Sequence, residues 1–454
     1  MWTRRVKALL LGGVASLLLV SQLAAVTPEE AAQLKTTLTP LGAEKAGNAD
    51  GTIPAWTGGY TTPIPGFKNG GRRPDPWPND KPLFSITAKN MGQYADKLTD
   101  GTKSLFKRYP EKFRLDVYQT RRTAVAPQWF YDNTFKNATR AKLVASSTGP
   151  MPQNFGSGIP FPIPKNGAEV IWNAMLRWTG YTYRASAHSY LVGANGNRVL
   201  IQDAIVDTEK PFGTKDATME NTNSDYFVVI ARNIGPPIRA GEAVLGRQNV
   251  DDTKSGAWVY LTGQRRVRKL PNACCDTPNP VTEGMMSFDE FYTFNSRLER
   301  FDWKIVGKKE MYIPYNCNRM WVPTKDTDTV GEHFLNPEYL RWELHRVWVV
   351  EADLAPGKRH QVHKNVYYVD EDTWFPVFGD RWDSSGRLWR TIFTLPMAAP
   401  DIPGTIGELL GFYDQISGAY YVAAQNELSE QVKVMPPYRK DYFTPDALSQ
   451  LGLR

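Results

Sequence analysis

The stretch Trp258–Arg390 constrains the fold of this chain more than any other. It opens with WVYLTGQRRVRKLP and ends with GRLWR, and it holds RFDWKIVGKKEMYIPYN and YLRWELHRVWVVEADLAPGKRH between them. Segments dense in Trp, Tyr, Val and Ile, broken by Gly, Pro, Asp and Asn, have the texture of antiparallel strands joined by tight turns. Alternation along Arg341–Asp353 places Trp342, Leu344, Trp348, Val350 and Ala352 on one face of a strand, with Arg346 as the one interruption. Arg341, Glu343, His345, Glu351 and Asp353 fall on the other face, with Val347 and Val349 among them. The expected fold is mainly β (α+β), built on a large curved antiparallel sheet over roughly 256–426. Its apolar face must be covered by a helix, by a second sheet, or by a hydrophobic ligand. Trp342, Leu344, Trp348 and Val350 are the candidates for facing a ligand.

The first 25 residues read as an export leader: Arg4, Arg5 and Lys7, then the apolar run Ala8–Val20, then small residues with cleavage expected after Ala25. The apolar run is too short for a membrane anchor. The mature protein is therefore expected in the periplasm, peripheral to the envelope membranes at most. Removing the three basic residues of the leader takes the formal charge from +7 to +4. That balance gives no argument for nucleic acid and allows only weak attraction to anionic surfaces. Cys274 and Cys275 are adjacent and Cys317 stands apart, so an oxidising compartment permits one disulfide. The pair expected is Cys317 with Cys275, slightly ahead of Cys274.

Thr27-Pro28-Glu29-Glu30 predicts a capped helix to about Lys35 or Thr37. Leu38–Gly59 is turn-rich, and residues 60–82 form a Pro/Gly-rich arm. The aromatics Trp56, Tyr60, Phe67 and Trp77 favour a strap laid over a body rather than a free linker. The spacing predicts a helix over 86–108, strand material over 113–131, a short mixed segment over 138–144 and a helix from Gly167 to Trp178. From Tyr181 the period switches to two, with a hairpin at GANGN (193–197) and a doubly covered strand at DYFVVIARN. A short helix is expected over 402–410, a hairpin around Ser417-Gly418, and a last helix after Thr444. The domain division is 1–25 leader, 26–165 helix, arm and strap, and 166–454 sheet body, the last two forming one continuous globular unit.

His360 and His363 in HQVH sit on opposite faces of a strand and suit shared metal ligation poorly. Asp370, Glu371 and Asp372 read as an exposed acidic turn between strands. The basic run Arg265–Leu270 reads as a solvated strand edge, with an acidic partner or lipid headgroups as the second reading. No nucleophile elbow, phosphate loop, dinucleotide fingerprint or zinc spacing is present, so no catalytic residue, cofactor or metal is expected.

LTPLGAEKAGNADGTIPAWTGG, WVYLTGQRRVRKLP, RFDWKIVGKKEMYIPYN and ELHRVWVVEADLAPGKRH resemble domain-of-unknown-function family 1329, exported proteins of Gram-negative bacteria. The resemblance spans nearly all of the mature chain. It implies a fold similar to the periplasmic lipoprotein carriers LolA and LolB, an unclosed β half-barrel around helices. It also implies carriage of a lipid or other hydrophobic compound between membranes. The implied partners are an inner-membrane exporter of the resistance-nodulation-division type and an outer-membrane protein. An envelope hydrolase and a non-enzymatic scaffold of a membrane complex are the alternatives.

Overall fold

The computed structural model describes residues 26–428 and 430–452; the expected leader lies outside the described residues. The helices are α1 (Pro28–Ala32), α2 (Asp100–Arg108), α3 (Gln128–Arg140), α4 (Gly167–Met175), α5 (Asp326–Thr329) and α6 (Pro445–Gly452). Four strands precede the sheet body: β1 (Phe84–Thr87), β2 (Arg114–Val117), β3 (Lys142–Val144) and β4 (Met151–Gln153). The body begins with β5 (Thr182–Val192), β6 (Arg198–Glu209), β7 (Asp225–Gly235), β8 (Ala243–Asn249), β9 (Gly256–Leu261) and β10 (Arg266–Lys269). It continues with β11 (Phe301–Pro314), β12 (Trp342–Leu354), β13 (Val362–Asp370), β14 (Pro376–Asp383) and β15 (Leu388–Ala399). Last come β16 (Gly404–Asp414), β17 (Tyr420–Ala424) and β18 (Val432–Val434).

All but β3 and β4 join one 16-stranded sheet, in the order β1-β2-β12-β13-β14-β15-β16-β17-β5-β6-β7-β8-β9-β10, with β11 beside β12 and β18 beside β5. Neighbours are antiparallel except β2 and β12, which meet in parallel at Val117 and Trp342. The order runs from β1 at one end to β10 at the other without closing. The expected mainly β class and open sheet are what the chain forms.

Both faces are covered. All nine residues of α4 are buried. Its Val170, Ile171, Ala174 and Met175 share a core with Phe227, Val229, Val350, Tyr367, Val369, Ile392, Leu410, Phe412 and Tyr421. A helix buried on every side is stable only inside a body, where its polar Asn173 donates to the Phe161 carbonyl. On the opposite face α2 contributes Leu105 and Phe106 to a second core with Val347, Val349, Tyr368, Phe378, Phe393 and Tyr413. The strand at 225–235 is doubly covered as expected: Phe227 and Val229 face the first core, while Val228 and Ile230 face Phe443 and Leu448 at α6.

The single apolar face expected for β12 is corrected. Trp342 and Leu344 belong to the same core as Val347 and Val349, whereas Trp348, Val350 and Ala352 belong to the other. The alternation changes parity between Leu344 and Val347, so the four candidates are divided between two sides of the sheet. The expected wet residues Arg341, Glu343 and His345 are buried, at 3, 0 and 0 % exposure. The segments before β12 in the chain cover them: Asp80 bonds Arg341, and the Arg121 amide donates to Glu343.

Other expectations also shift. Residues 404–414 form β16, not a helix. Gly404, Gly407 and Gly411 are poor helix residues, and a side chain at Gly411 would lie 2.1 Å from the Tyr421 carbonyl oxygen, so the strand pair needs that glycine. Residues 86–108 contain the end of β1, a 3-10 turn over Met91–Lys97 and then α2, which starts where Thr99 caps the Thr102 amide. The strand expected over 113–131 stops at Val117; α3 begins after Pro127 and buries Phe130, Thr134, Asn137 and Ala138 at helical spacing. The arm 60–82 lies on the body. Gly70 accepts from the Gln431 amide, Arg72 donates to the Asn426 carbonyl, and buried Arg73 grips Asp401 with Nη2–Oδ2 at 2.6 Å.

Candidate ligand-binding site

The residues singled out on β12 do not converge on an opening. Trp342, Leu344 and Val350 are 3, 4 and 0 % exposed and act as core. Trp348 is half-buried, parallel to Trp374 at 6.4 Å and roofed by the Lys308 ammonium at 4.9 Å. The Cys275–Cys317 disulfide is not formed, because all three cysteines are free. The Cys317 thiol points at the Arg341 carbonyl, while Cys275 points at the Cys274 sulfur. His360 is buried against Asp289 (3.1 Å) and His363 is exposed, so they share no ligand position.

The acidic turn is not exposed. Asp370, Glu371 and Asp372 are 0, 2 and 2 % exposed. Arg122 chelates Asp372 through Nε (2.9 Å) and Nη2 (2.6 Å), and Lys308 pairs with Glu371 at 2.9 Å. Burial and the neighbouring Asp372 push the Asp370 carboxyl up to about 6. His345, Asp370 and Asp372 bring possible metal-ligand atoms within 4.8 Å of one another, as do His188, Asp326 and Glu427. Both sets are engaged internally: Arg122 holds Asp372, and His188 (2.6 Å) and Tyr190 (3.0 Å) hold Asp326. These are folding contacts between distant segments.

A different group of polar residues stands out where α4 ends. Arg177 follows α4, Lys210 follows β6, Tyr183 lies on β5, Glu408 on β16, and Tyr292 on the loop before β11. Tyr292 holds a left-handed backbone (φ 51°), which costs an aromatic residue energy and fixes its ring. Its hydroxyl donates to Glu408 at 3.1 and 2.9 Å. The Arg177 guanidinium stacks over Phe375 (4.2 Å) and lies 5.8 Å from the Tyr292 ring, with Lys210 Nζ 5.9 Å from that ring.

The two cations are poorly compensated. Among the described residues neither Arg177 nor Lys210 forms an ion pair: Arg177 donates to the Ala174 carbonyl and leaves Nε without a partner, and Lys210 donates to Thr179 Oγ1 at 2.5 Å. Desolvation lowers Arg177 to about 10 and Lys210 to about 7, and raises Glu408. Strongly perturbed groups clustered in this way mark candidate functional sites. Arg177 is buried, but Lys210 and Glu408 keep part of their surface open, and half-buried Phe291 lies next to Tyr292 at 4.5 Å.

Sequence reasoning missed this group. Lys210 sits in TEKPFGTKD, a turn by composition, and Glu408 fell in a segment read as helix. Read as a strand, GTIGELLGFYD shows Glu408 as a lone charge between apolar neighbours, which is the clue available from sequence.

A third feature lies at one end of the sheet. The β5–β6, β7–β8 and β9–β10 hairpins all turn there, as the pairs Val192–Arg198, Arg232–Ala243 and Leu261–Arg266 show. Val199, Ile234 and Ile238 are 54, 53 and 86 % exposed there. A recess of about 260 Å³ lies beside Ile234 and Ile238, whose chain neighbours Asn233 and Arg239 belong to its lining, together with Ala243, Val244, Val259, Tyr260, Leu261 and Glu283. Arg265, Arg266, Arg268 and Lys269 are exposed along the edge strand β10, in keeping with a solvated basic edge.

The fold places the chain in a class first: a mainly β protein on one large, unclosed, mixed sheet with a helix buried against it. The model of the protein family of unknown function DUF1329 matches residues 85–449, and the chain belongs to that family. An uncharacterized protein of Pseudomonas aeruginosa is 40% identical over 449 residues, 97% of each chain. Among solved structures, a putative outer membrane lipoprotein-sorting protein domain from Vibrio parahaemolyticus matches at TM-score 0.43 and 13% identity, over 62% of this chain and 98% of that one. A DUF1329 family protein from Desulfovibrio piger matches at TM-score 0.43 and 13% identity, over 62% and 97%. A LolA superfamily protein from Nitrosomonas europaea matches at TM-score 0.37 and 11% identity, over 63% and 100%.

Proposed function

We propose that this protein is a periplasmic carrier or accessory protein for a lipid or other hydrophobic ligand, acting between the inner and outer membranes. The observation that carries the reading is the end of the sheet where Ile234 and Ile238 stand in solvent beside a recess of about 260 Å³, with Val199 exposed on the neighbouring hairpin. Burying one such aliphatic side chain is worth about 1.5–3 kcal/mol, so a fold with well-filled cores elsewhere forgoes that gain here. Aliphatic side chains at a hairpin tip, flanked by the basic β10 edge, suit an anionic lipid surface. The sorting-protein domain and the LolA superfamily protein among the structural neighbours bear names of the same kind. An inner-membrane exporter of the resistance-nodulation-division type and an outer-membrane protein are the partners this reading implies.

Native mass spectrometry of protein isolated gently from the periplasm tests the reading. A bound lipid mass, lost on organic extraction, is expected. Ile238→Asp should keep the melting temperature and lower retention on vesicles of phosphatidylethanolamine and phosphatidylglycerol several-fold. A ligand-free mass, together with equal vesicle retention by both proteins, would remove the carrier reading.

A further inference from the structure

A charged group taken out of water is stabilised by an opposite charge or it is costly. Elsewhere in this fold the rule is obeyed: buried Arg73 pairs with Asp401, buried Arg122 with Asp372, and buried Arg381 with Asp289. Arg177 departs from it. It is 5 % exposed, it has an unpartnered Nε, and its neighbours are a carbonyl and two aromatic rings. Lys210 Nζ lies 5.9 Å from the same Tyr292 ring and bonds only a threonine hydroxyl. Glu408, the acidic group nearest in charge to both, is occupied by the Tyr292 hydroxyl. With Lys210 protonated the count is two cations against one carboxylate, so the charged form of the group lacks one negative charge.

The surroundings say what kind of anion would supply it. Phe375 lies 4.2 Å from the Arg177 guanidinium, the Tyr292 ring lies 5.8 Å from Arg177 and 5.9 Å from Lys210, and Phe291 and Phe227 lie 4.5 and 5.9 Å from that ring. A small hydrated anion finds few donors there besides the two cations. An anion at the end of an apolar chain finds both halves of its chemistry: donors for the head, and aromatic and aliphatic surface for the body. Half-buried Val206 and Phe291 border the same core and continue that surface.

We propose that the group of Arg177, Lys210 and Tyr292, reached where Lys210 and Glu408 keep part of their surface open, binds the anionic head, a carboxylate or a phosphate monoester, of a single-chain amphiphile. The inference rests on the carrier reading and specifies its ligand: not a neutral hydrophobe such as a sterol or alkane, but a molecule with one acidic end. In the bound state Arg177 Nε and Lys210 Nζ donate to the head, and Glu408 remains with Tyr292.

The test uses the full mature protein and three probes of equal chain length: dodecanoate, dodecyl phosphate and dodecanol, titrated below their aggregation limits by isothermal calorimetry. The wild type is expected to bind at least one of the two anions tenfold or more tighter than dodecanol. Whichever of the two binds better assigns the head as carboxylate or phosphate. Arg177→Met removes an uncompensated buried charge and Lys210→Met a half-buried one, and both variants should fold at least as well as the wild type. Each is expected to bring the preferred anion to within about threefold of dodecanol, while dodecanol binding stays unchanged. Equal binding of all three probes by the wild type, or a preference that survives in both variants, overturns the acidic-head inference and leaves the carrier reading intact. Failure of all three probes to bind overturns both.

Discussion

Asp380 shows how much a single buried carboxyl governs in this fold. It lies at 0 % exposure where α2 meets the sheet, accepting from the Gly101 amide (3.0 Å) and the Thr391 hydroxyl (2.8 Å). It has no cation partner among the described residues, and burial pushes it up to about 6. The folded chain therefore keeps a proton that the unfolded chain gives up near pH 4. Stability from this group is complete below about pH 4 and is lost as pH rises through about 6. Two units of displacement correspond to about 2–3 kcal/mol. Asp380→Asn, whose amide can still accept from Gly101, should flatten that part of the stability profile in urea unfolding at pH 4 to 7. An unchanged slope would assign it to other groups, of which Asp370 and Glu371, raised to about 6 and about 7, are the first candidates. At this scale the sequence is hardest to read. Nothing near YYVDEDTW announces that Asp372 is claimed by Arg122, 250 residues away. A local acidic cluster looks like a turn until its distant partner is known.

At the scale of elements, pattern served well where one period ruled a segment. The GANGN hairpin, the doubly covered strand at 225–235, the hairpin at Ser417-Gly418 and the last helix all formed where the spacing put them. It failed where a strand changes face, as in β12, and where glycines serve a neighbour's backbone, as in β16. Helix α4 depends on such a glycine. A side chain at Gly167 would lie 2.8 Å from the Lys304 amide nitrogen and 2.9 Å from the Trp303 carbonyl carbon, both backbone atoms of β11. Gly167→Ala improves helix propensity yet must push α4 away from the sheet. Overpacking of this kind costs about 1–3 kcal/mol, and Gly167→Ala should lower the melting temperature in calorimetry; a rise would mean that propensity outweighs the contact.

For the whole molecule, the arm decides whether the sheet is exposed or wrapped. Arg73 lies between Phe67 (4.6 Å) and Trp321 (5.8 Å) and grips Asp401, so one side chain fastens the arm to the turn between β15 and β16. Arg73→Ala takes away this fastening and the cover over Trp321, and should open the arm to limited trypsin digestion at Lys68 or Arg72. Equal digestion of variant and wild type would show that the flanking bonds, such as the Asn69 side chain with the Val434 backbone at 2.8 Å, hold the arm without it. The aromatic content of residues 60–82 made a strap legible in the sequence, but its fastening point was not, since Asp401 is 328 residues from Arg73.

The strand order carries a consequence for the moment of folding. Strands β5–β10 form one block and β12–β17 another, and the blocks meet where β17 pairs with β5, Tyr420 against Val192. The strand that joins them is therefore among the last parts of the chain to appear. Until it arrives, β5 and β16 both present bare edges, a state open to wrong pairing. A chain threaded across a membrane from its N-terminus would have to be held apart until Tyr420–Ala424 emerged. A chain that stopped between Asp414 and Tyr420 would leave two unfinished sheets in place of one.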